Sequence, residues 1–356
     1  MILLTLETTC DETAAAIVDD RLQVLSSVVA SQAKLHEIYK GVVPEIAARA
    51  HVERILPVID ETLKKANLTL DDLDAVAVAN TPGLSGSLLV GLTAAKALCF
   101  AKNLPLIAVN HLHAHVYACQ FASEAPIYPC VGLVVSGGHT HLYHYQSAIE
   151  NRFLGGTIDD AAGEAFDKVA SMLGLPYPGG PAISKQAEAG DSKAFKFKRS
   201  FLKEDRIAFS FSGLKTAVRY AITGPGKFDL DSVEIPPQKI ADLSASFQQA
   251  VVDCLVAKSI QAVEQCARGT TDNPKRLCVG GGVAANRVFR DQLAQQCDDR
   301  NIELHFAALE HCTDNAVMGA IAVERFKAGL TEDLNLDILP GLIRQPQTET
   351  KNGVGH

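Results

Sequence analysis

One pattern occurs twice in this sequence and constrains its fold more than any other feature: an apolar strand, a short polar turn, and a second strand. Ile2 to Glu7 and Ala14 to Val18 flank the turn Thr8-Thr9-Cys10-Asp11-Glu12-Thr13, with a third strand at Val24 to Val29. Val131 to Val135 and His141 to Tyr145 flank Ser136-Gly137-Gly138-His139-Thr140. Apolar runs bounded by turn residues predict a hairpin in each place. After the first hairpin the periodicity predicts helix Pro44 to Lys65, strand Ala75 to Ala79, helix Ser87 to Lys102, strand Leu106 to Val109 and a helix from His111. After the second come helices near Asp160 to Leu173, Ser212 to Ile222 and Ile240 to Ala267. Strand Arg276 to Val279, helix Ala284 to Gln296, strand Ile302 to Phe306 and helix Asn315 to Lys327 follow. Strands alternating with helices argue for α/β lobes, and the repeat argues for a duplicated domain with a ligand cleft between its halves. The expected division is an N-terminal lobe over residues 1–130 and a C-terminal lobe over 131–338 with an insertion near 180–235. Residues 339–356, rich in Gly, Pro and polar types, are expected to form a flexible tail.

A chain of 356 residues with 47% hydrophobic and 21% charged residues can bury a sizeable core. No apolar run in the sequence approaches the ~18 residues of a membrane helix, since Leu88 to Phe100 is interrupted by Lys96. The start, Met1 to Glu7, lacks a basic n-region, so the expectation is a cytoplasmic protein without a membrane span. Nine scattered cysteines with no Cys-x-x-Cys pair argue against a disulfide framework and a thiolate zinc site. The net charge of -8 offers no global attraction to nucleic acid, so a polyanion must meet a local patch. Between Lys193 and Arg206, six cationic side chains meet only Glu204 and Asp205, with Phe195, Phe197 and Phe201 interleaved. That composition suits RNA with unstacked bases, and equally an amphipathic surface segment anchored by its rings.

Three kinds of residue cluster carry candidate chemistry. His111 and His115, in Asn110-His111-Leu112-His113-Ala114-His115, project from one face of a helix and can grip a single metal ion once a third ligand is supplied. The zinc-protease signature has Glu directly after the first His, where Leu112 stands here. Ser136-Gly137-Gly138, Gly280-Gly281-Gly282 and Asn80 to Gly86 are glycine-containing turns after strands, which let backbone amides approach a phosphate. No P-loop and no Gly-x-Gly-x-x-Gly accompanies them. Cys10 lies in the first polar turn without a neighbouring His to activate it.

The segments Leu6 to Glu12, His36 to His51 with Val42-Val43-Pro44-Glu45-Ile46-Ala47-Ala48-Arg49, Asn110 to His115, Val134 to Thr140, Phe209 to Lys215, Val279 to Asn286 and Cys312 to Met318 together resemble the TsaD-type tRNA N6-adenosine threonylcarbamoyltransferase family. The resemblance covers nearly the whole chain in order. It implies the duplicated actin-like and sugar-kinase-like ATPase fold, two lobes with a central cleft. The implied reaction transfers the threonylcarbamoyl group of threonylcarbamoyl-AMP to N6 of the adenine 3′ of the anticodon, in tRNAs reading codons that begin with adenine. It also implies Asp314, in Thr313-Asp314-Asn315, as the carboxylate joining His111 and His115 around Fe2+, with Zn2+ as the alternative. Val134, Val135, Ser136, Gly137 and Gly138 would cradle the acyl phosphate, and Asp167, Gly180 and Asn286 would contact the rest of the nucleotide. Some members carry Asp where Ser184 stands and most carry Gly at Lys40. Bacterial members of the family work with a noncatalytic paralogue and a small P-loop ATPase, whereas organellar members act without them, and the residues do not choose between the two.

Adenine N6 is a weak nucleophile, so Asp11 is a candidate for orienting or deprotonating the amine, against its plainer role as a turn carboxylate. Three other readings remain in view. A small-molecule kinase of the same fold would use Mg²⁺, an oxygen-seeking ion that fits a histidine pair poorly. A metalloprotease needs the glutamate missing after His111. A noncatalytic binding partner predicts loss of metal ligands, which are all present.

Overall fold

A computed structural model describes residues 1–39, 41–224, 234–268 and 275–341. Lys40, part of the insertion at 225–233 and the tail residues 342–356 lie outside the described residues. In the first sheet, β1 (Ile2–Glu7) pairs antiparallel with β2 (Glu12–Asp19), and β2 pairs antiparallel with β3 (Val24–Ser31). On its other edge β1 runs parallel to β4 (Ala75–Thr81), which runs parallel to β5 (Leu106–Asn110). In the second sheet, β6 (Cys130–Val135) pairs antiparallel with β7 (Thr140–Tyr145), and β7 with β8 (Asn151–Thr157). A short β9 (Ala208–Phe209) adds to the free edge of β8. On the opposite side β6 runs parallel to β10 (Arg276–Gly280) and β10 to β11 (Glu303–Phe306). The order β3-β2-β1-β4-β5 is thus repeated as β8-β7-β6-β10-β11, the duplication that the paired hairpins imply.

Strands β1, β4 and β6 are buried on both faces, which is why they read as apolar runs without alternation. Leu4, Leu6, Val76 and Val78 pack on one face of the first sheet with Ile55, Val58, Ile59 and Leu92 from the helices Pro44–Ala66 and Ser85–Lys102. Leu3, Ala77 and Ile107 point to the other face and share one core with Leu112, Val116, Leu133 and Val134 of the second half. The short helix His111–Tyr117 is therefore sandwiched between the two sheets.

The helix Pro237–Ala267 is long and apolar enough to cross a membrane by length and composition, although its interspersed polar and charged residues leave no unbroken apolar run. It is a core helix: 72% of its most apolar window is buried, and it packs against the helices Gly179–Ala187 and Arg287–Asp298. Two elements escaped the periodicity for a local reason. In β8, Gly155 and Gly156 interrupt the apolar pattern, but a Cβ at Gly155 would strike the backbone of Ile207 and one at Gly156 the ring of His141. These glycines mark a close approach rather than a turn. Gly179-Gly180-Pro181 likewise reads as a breaker, whereas it opens a helix whose first turn has no need of a proline N–H. The predicted helix from Ala284 to Gln296 splits, with a 3-10 turn at Gly282–Ala285 and a helix capped by Asn286.

Candidate metal centre and glycine turn

At the end of β5, Asn110 accepts hydrogen bonds through Oδ1 from the N–H groups of Leu112 (2.9 Å) and His113 (3.3 Å), starting the helix His111–Tyr117. This N-cap sets the rotation of the helix. Leu112 and Val116 then enter the core while His111 and His115 face away from it, their ring centroids 4.6 Å apart. Both imidazoles are buried. Leu112 is fully buried, so the position of the protease glutamate belongs to the core.

Asp314 reaches the same point from the far end of the chain. It follows the helical turn Leu309–Cys312, and Asn315 shapes the loop by donating to the Thr313 carbonyl (2.7 Å) and accepting from Met318 N–H (3.2 Å). Asp314 Oδ1 lies 3.2 Å from His115 Nε2 and 3.6 Å from His111 Nε2. One donor atom from each of the three residues falls within 4.8 Å of the others, the one such group among the described residues. His115 Nε2 has no aligned hydrogen bond despite this proximity. Two atoms each ~2.1 Å from one cation stand roughly 3.0–3.5 Å apart; the 3.2 Å Asp314–His115 separation falls in that range and the 3.6 Å Asp314–His111 separation lies just outside it, so the three side chains must draw slightly closer to share a divalent ion. Burial pushes His111 down, yet the Glu7 and Asp314 carboxylates hold it up at about 9. Burial likewise pushes Asp314 up, but the two imidazoles hold it well below the usual carboxylate range.

Glu7 has no local signal in the sequence, where it reads as the last residue of a strand. Its Oε2 lies 3.0 Å from His111 Nδ1, while Oε1 accepts from Thr9 N–H at 2.6 Å. Thr9 Oγ1 is 3.2 Å from the same Nδ1. Once a cation displaces the proton at Nε2, a buried carboxylate on Nδ1 keeps the remaining proton there and leaves the Nε2 lone pair for the ion, which is how metal-binding imidazoles are commonly held.

The turn between β6 and β7 is closed by Ser136 N–H donating to His139 O (2.8 Å) and His139 N–H to Ser136 Oγ (3.2 Å). Val134 and Val135 bury their side chains in the core and are paired along the sheet, so only their backbone can face a ligand. Gly163, at the start of the helix Ala162–Met172, packs so closely that a Cβ would lie 2.6 Å from Ser136 O and 2.7 Å from Gly137 Cα. At Gly280 a Cβ would collide with the His115 carbonyl, and Gly281 has a φ of +100° against the Val135 backbone. Gly280 thus serves the approach of β10 to the histidine helix and Gly281 its approach to β6, while Gly282 faces open space. Around Asn80 to Gly86, Gly83 packs on Thr9 and Gly86 on Ala48, so both pack against neighbouring chain.

Asp167 accepts from Gly179 N–H at 2.7 Å, beside Gly180, whose Cβ position is open. Burial raises Asp167 to about 6. Asn286 uses Oδ1 for its own helix cap, while Nδ2 donates to Gln248 Oε1 (2.8 Å) and Ser184 Oγ (3.0 Å). Burial first, and then the Asp11 charge, raises Asp167 and Tyr177, so the first polar turn lies near these residues of the second half. Burial, followed by the Asp11 and Asp314 charges, keeps the Cys10 thiol protonated, which removes it as a nucleophile. In the basic segment, Phe195 and Phe197 stack on each other at 6.1 Å and pack into the core. Phe197 is buried and Phe195 half-buried, so both rings anchor the segment to the core.

Two copies of one sheet, with a His/His/Asp donor set and a glycine turn between them, define a protein of the duplicated actin-like and sugar-kinase-like α/β class. Solved structures share that fold at low identity: HypF from T. kodakarensis (TM-score 0.59, 15% identical, covering 92% of this chain and 48% of that one) and a ROK family protein from Streptococcus pneumoniae (0.51, 11%, 92% and 100%). The sequence profile of the TsaD family, tRNA N6-adenosine threonylcarbamoyltransferase, matches residues 23–321. Proteins of that name from Rhodopirellula baltica (56% identical, 96% of this chain and 97% of the relative) and Geobacter metallireducens (47%, 95% and 96%) align over almost the full length. The chain belongs to the tRNA N6-adenosine threonylcarbamoyltransferase family, a family of tRNA-modifying transferases.

Proposed function

We propose that this chain transfers the threonylcarbamoyl group from threonylcarbamoyl-AMP to N6 of the adenine 3′ of the anticodon, in tRNAs reading codons that begin with adenine. The observation that carries the reading is the convergence of His111, His115 and Asp314 with His115 Nε2 left free of a hydrogen bond. Their donor set would hold Fe2+, with Zn2+ as the alternative, and a cation there supplies Lewis acidity toward acyl-phosphate or carbamoyl oxygens.

The remaining roles belong to the protein itself. The strand end and turn formed by Val134, Val135, Ser136, Gly137 and Gly138 cradle the acyl phosphate, with the amides of Gly137 and Gly138 as the donors, since Ser136 N–H is taken by His139 O and the valines are paired in the sheet, and with the start of the helix Ala162–Met172 packed behind them. Asp167, whose second carboxylate oxygen makes no hydrogen bond among the described residues, accepts from a ribose hydroxyl beside Gly180. Asn286 contacts the nucleotide from the network it shares with Ser184 and Gln248. Asp11 orients or deprotonates the adenine N6 amine as the mixed anhydride opens and AMP leaves. We further propose a cytoplasmic setting and two protein partners, a noncatalytic paralogue and a small P-loop ATPase. The lobes of this reading are residues 1–130 and 131–338.

The test is a transfer assay with purified protein, threonylcarbamoyl-AMP and unmodified tRNA, alone and with both partners, read by nucleoside analysis. Threonylcarbamoyladenosine in at least one combination is the expected result. Its absence from all of them refutes the proposed activity.

A further inference from the structure

We propose that Lys193, Lys196, Lys198 and Lys203 form a prearranged docking strip for the phosphate backbone of the tRNA, a surface that deepens and rests on the function proposed above. The strip is built by alternation. From Phe195 to Lys198 the rings turn inward while Lys196 and Lys198 are exposed, as are Lys193 and Lys203. The other two cations of the segment are already engaged. Arg199 is bound to Asp253 (2.7 Å) and the Phe197 carbonyl, and Arg206 pairs with Glu204 (2.6 Å) above the Phe201 ring. The four lysines have no carboxylate partner among the described residues, and Asp205 is the one acidic side chain of the segment left unpaired. Four lysines against one aspartate leave a local charge of +3 on a chain whose formal net charge is -8.

The chain also fixes this loop at some cost. Lys258, on the core helix Pro237–Ala267, is 1% exposed, and its Nζ donates to Glu204 O (2.6 Å), Arg206 O (3.0 Å) and Gln261 Oε1 (2.7 Å). Gln261 and Gln265 donate to Asp205 O at 2.6 and 2.8 Å, and Ser246 Oγ accepts from Phe195 N–H. Burying an ammonium group is unfavourable unless its donors are satisfied, so a buried lysine spent on backbone carbonyls of a surface loop marks a loop whose position matters. The segment also borders the proposed site. It leaves the helix Gly179–Ala187, which carries Gly180, and returns through β9 to Ser210 and Ser212, both held by Asp159 at the end of β8. A polyphosphate seated on the strip lies beside β9 at the edge of the second sheet, at a local positive charge on a chain that is acidic overall.

The experiment compares the full chain with the variant Lys193→Gln/Lys196→Gln/Lys198→Gln/Lys203→Gln, measuring affinity for unmodified tRNA between 50 and 200 mM KCl. If each lysine meets one phosphate, the slope of log affinity against log salt falls by about 3 to 4. Wild-type affinity should then drop roughly 100-fold more than the variant's over that range. Single-turnover transfer at saturating tRNA should keep its rate, with the loss appearing in the tRNA concentration required. Should the quadruple variant not fold, Asp205→Lys provides the opposite test: the slope should steepen by about 1. Affinity within twofold of wild type and an unchanged slope overturn the strip, and so does loss of an acidic protein partner with tRNA binding intact. Wild-type protein that binds tRNA in a strip-dependent way but forms no product refutes the proposed activity and leaves the strip standing.

Discussion

Replacing Glu7 by alanine isolates the contribution of an acid that never touches the proposed ion. In the folded protein its two oxygens satisfy two buried donors, His111 Nδ1 at 3.0 Å and Thr9 N–H at 2.6 Å. Alanine leaves both without that acceptor, a cost of about 1–3 kcal/mol for each buried donor left unsatisfied. Part of that cost falls on overall stability and part on the imidazole, which can then turn or shift its proton to Nε2 and lose its ligand lone pair. Loss of such an outer partner typically weakens metal affinity 10- to 100-fold, or about 1.4–2.7 kcal/mol. Glu7→Gln retains one acceptor oxygen for two donors and should fall between wild type and alanine. The assay strips the protein with a chelator and titrates Zn2+ or Co2+ against a chromophoric competitor, following the Co2+ visible band as a report on ligand geometry. Thermal unfolding of the metal-free forms separates folding from binding. A Glu7→Ala protein that folds and binds Co2+ within twofold of wild type, with the same spectrum, refutes the orienting role.

Gly163→Ala would push a methyl into the backbone of Ser136 and Gly137 and should weaken adenylate binding tenfold or more by calorimetry, while metal affinity stays unchanged. Asp11→Asn should abolish transfer with metal and adenylate binding intact; normal transfer would remove Asp11 from the chemistry. Burial raises Asp167 from 3.8 to about 6, so its favourable contribution is fully present below pH 3.8 and is lost as pH climbs through 6. Asp167→Asn escapes that loss and should gain about 2–3 kcal/mol over wild type between pH 4 and pH 7 in denaturant unfolding. An equal difference at both pH values contradicts a buried, ionising carboxylate.

Much of this fold could be read along the chain because its signals are local. Apolar runs of five or six residues and the polar turns between them mark both hairpins, and the 3.6-residue period places His111 and His115 on one face. Resemblance added Asp314, from a distant loop that no spacing rule connects to the histidines. Other features were illegible for a definite reason. Gly155, Gly156, Gly280 and Gly281 look alike in the sequence as turn or phosphate signals, and only the packing shows which neighbours they admit. The aromatic residues of the basic segment carried two readings until burial made Phe195 and Phe197 anchors. Glu7 and Lys258 gain their roles from partners far along the chain, since a side chain's hydrogen bonds depend on what the tertiary fold brings within about 3 Å, not on its sequence neighbours. The sequence by itself determined the repeated α/β plan and the one-faced histidine pair. Tertiary structure decided that a carboxylate from the far end converges on that pair, because such convergence is a property of distances in space that local periodicity does not encode.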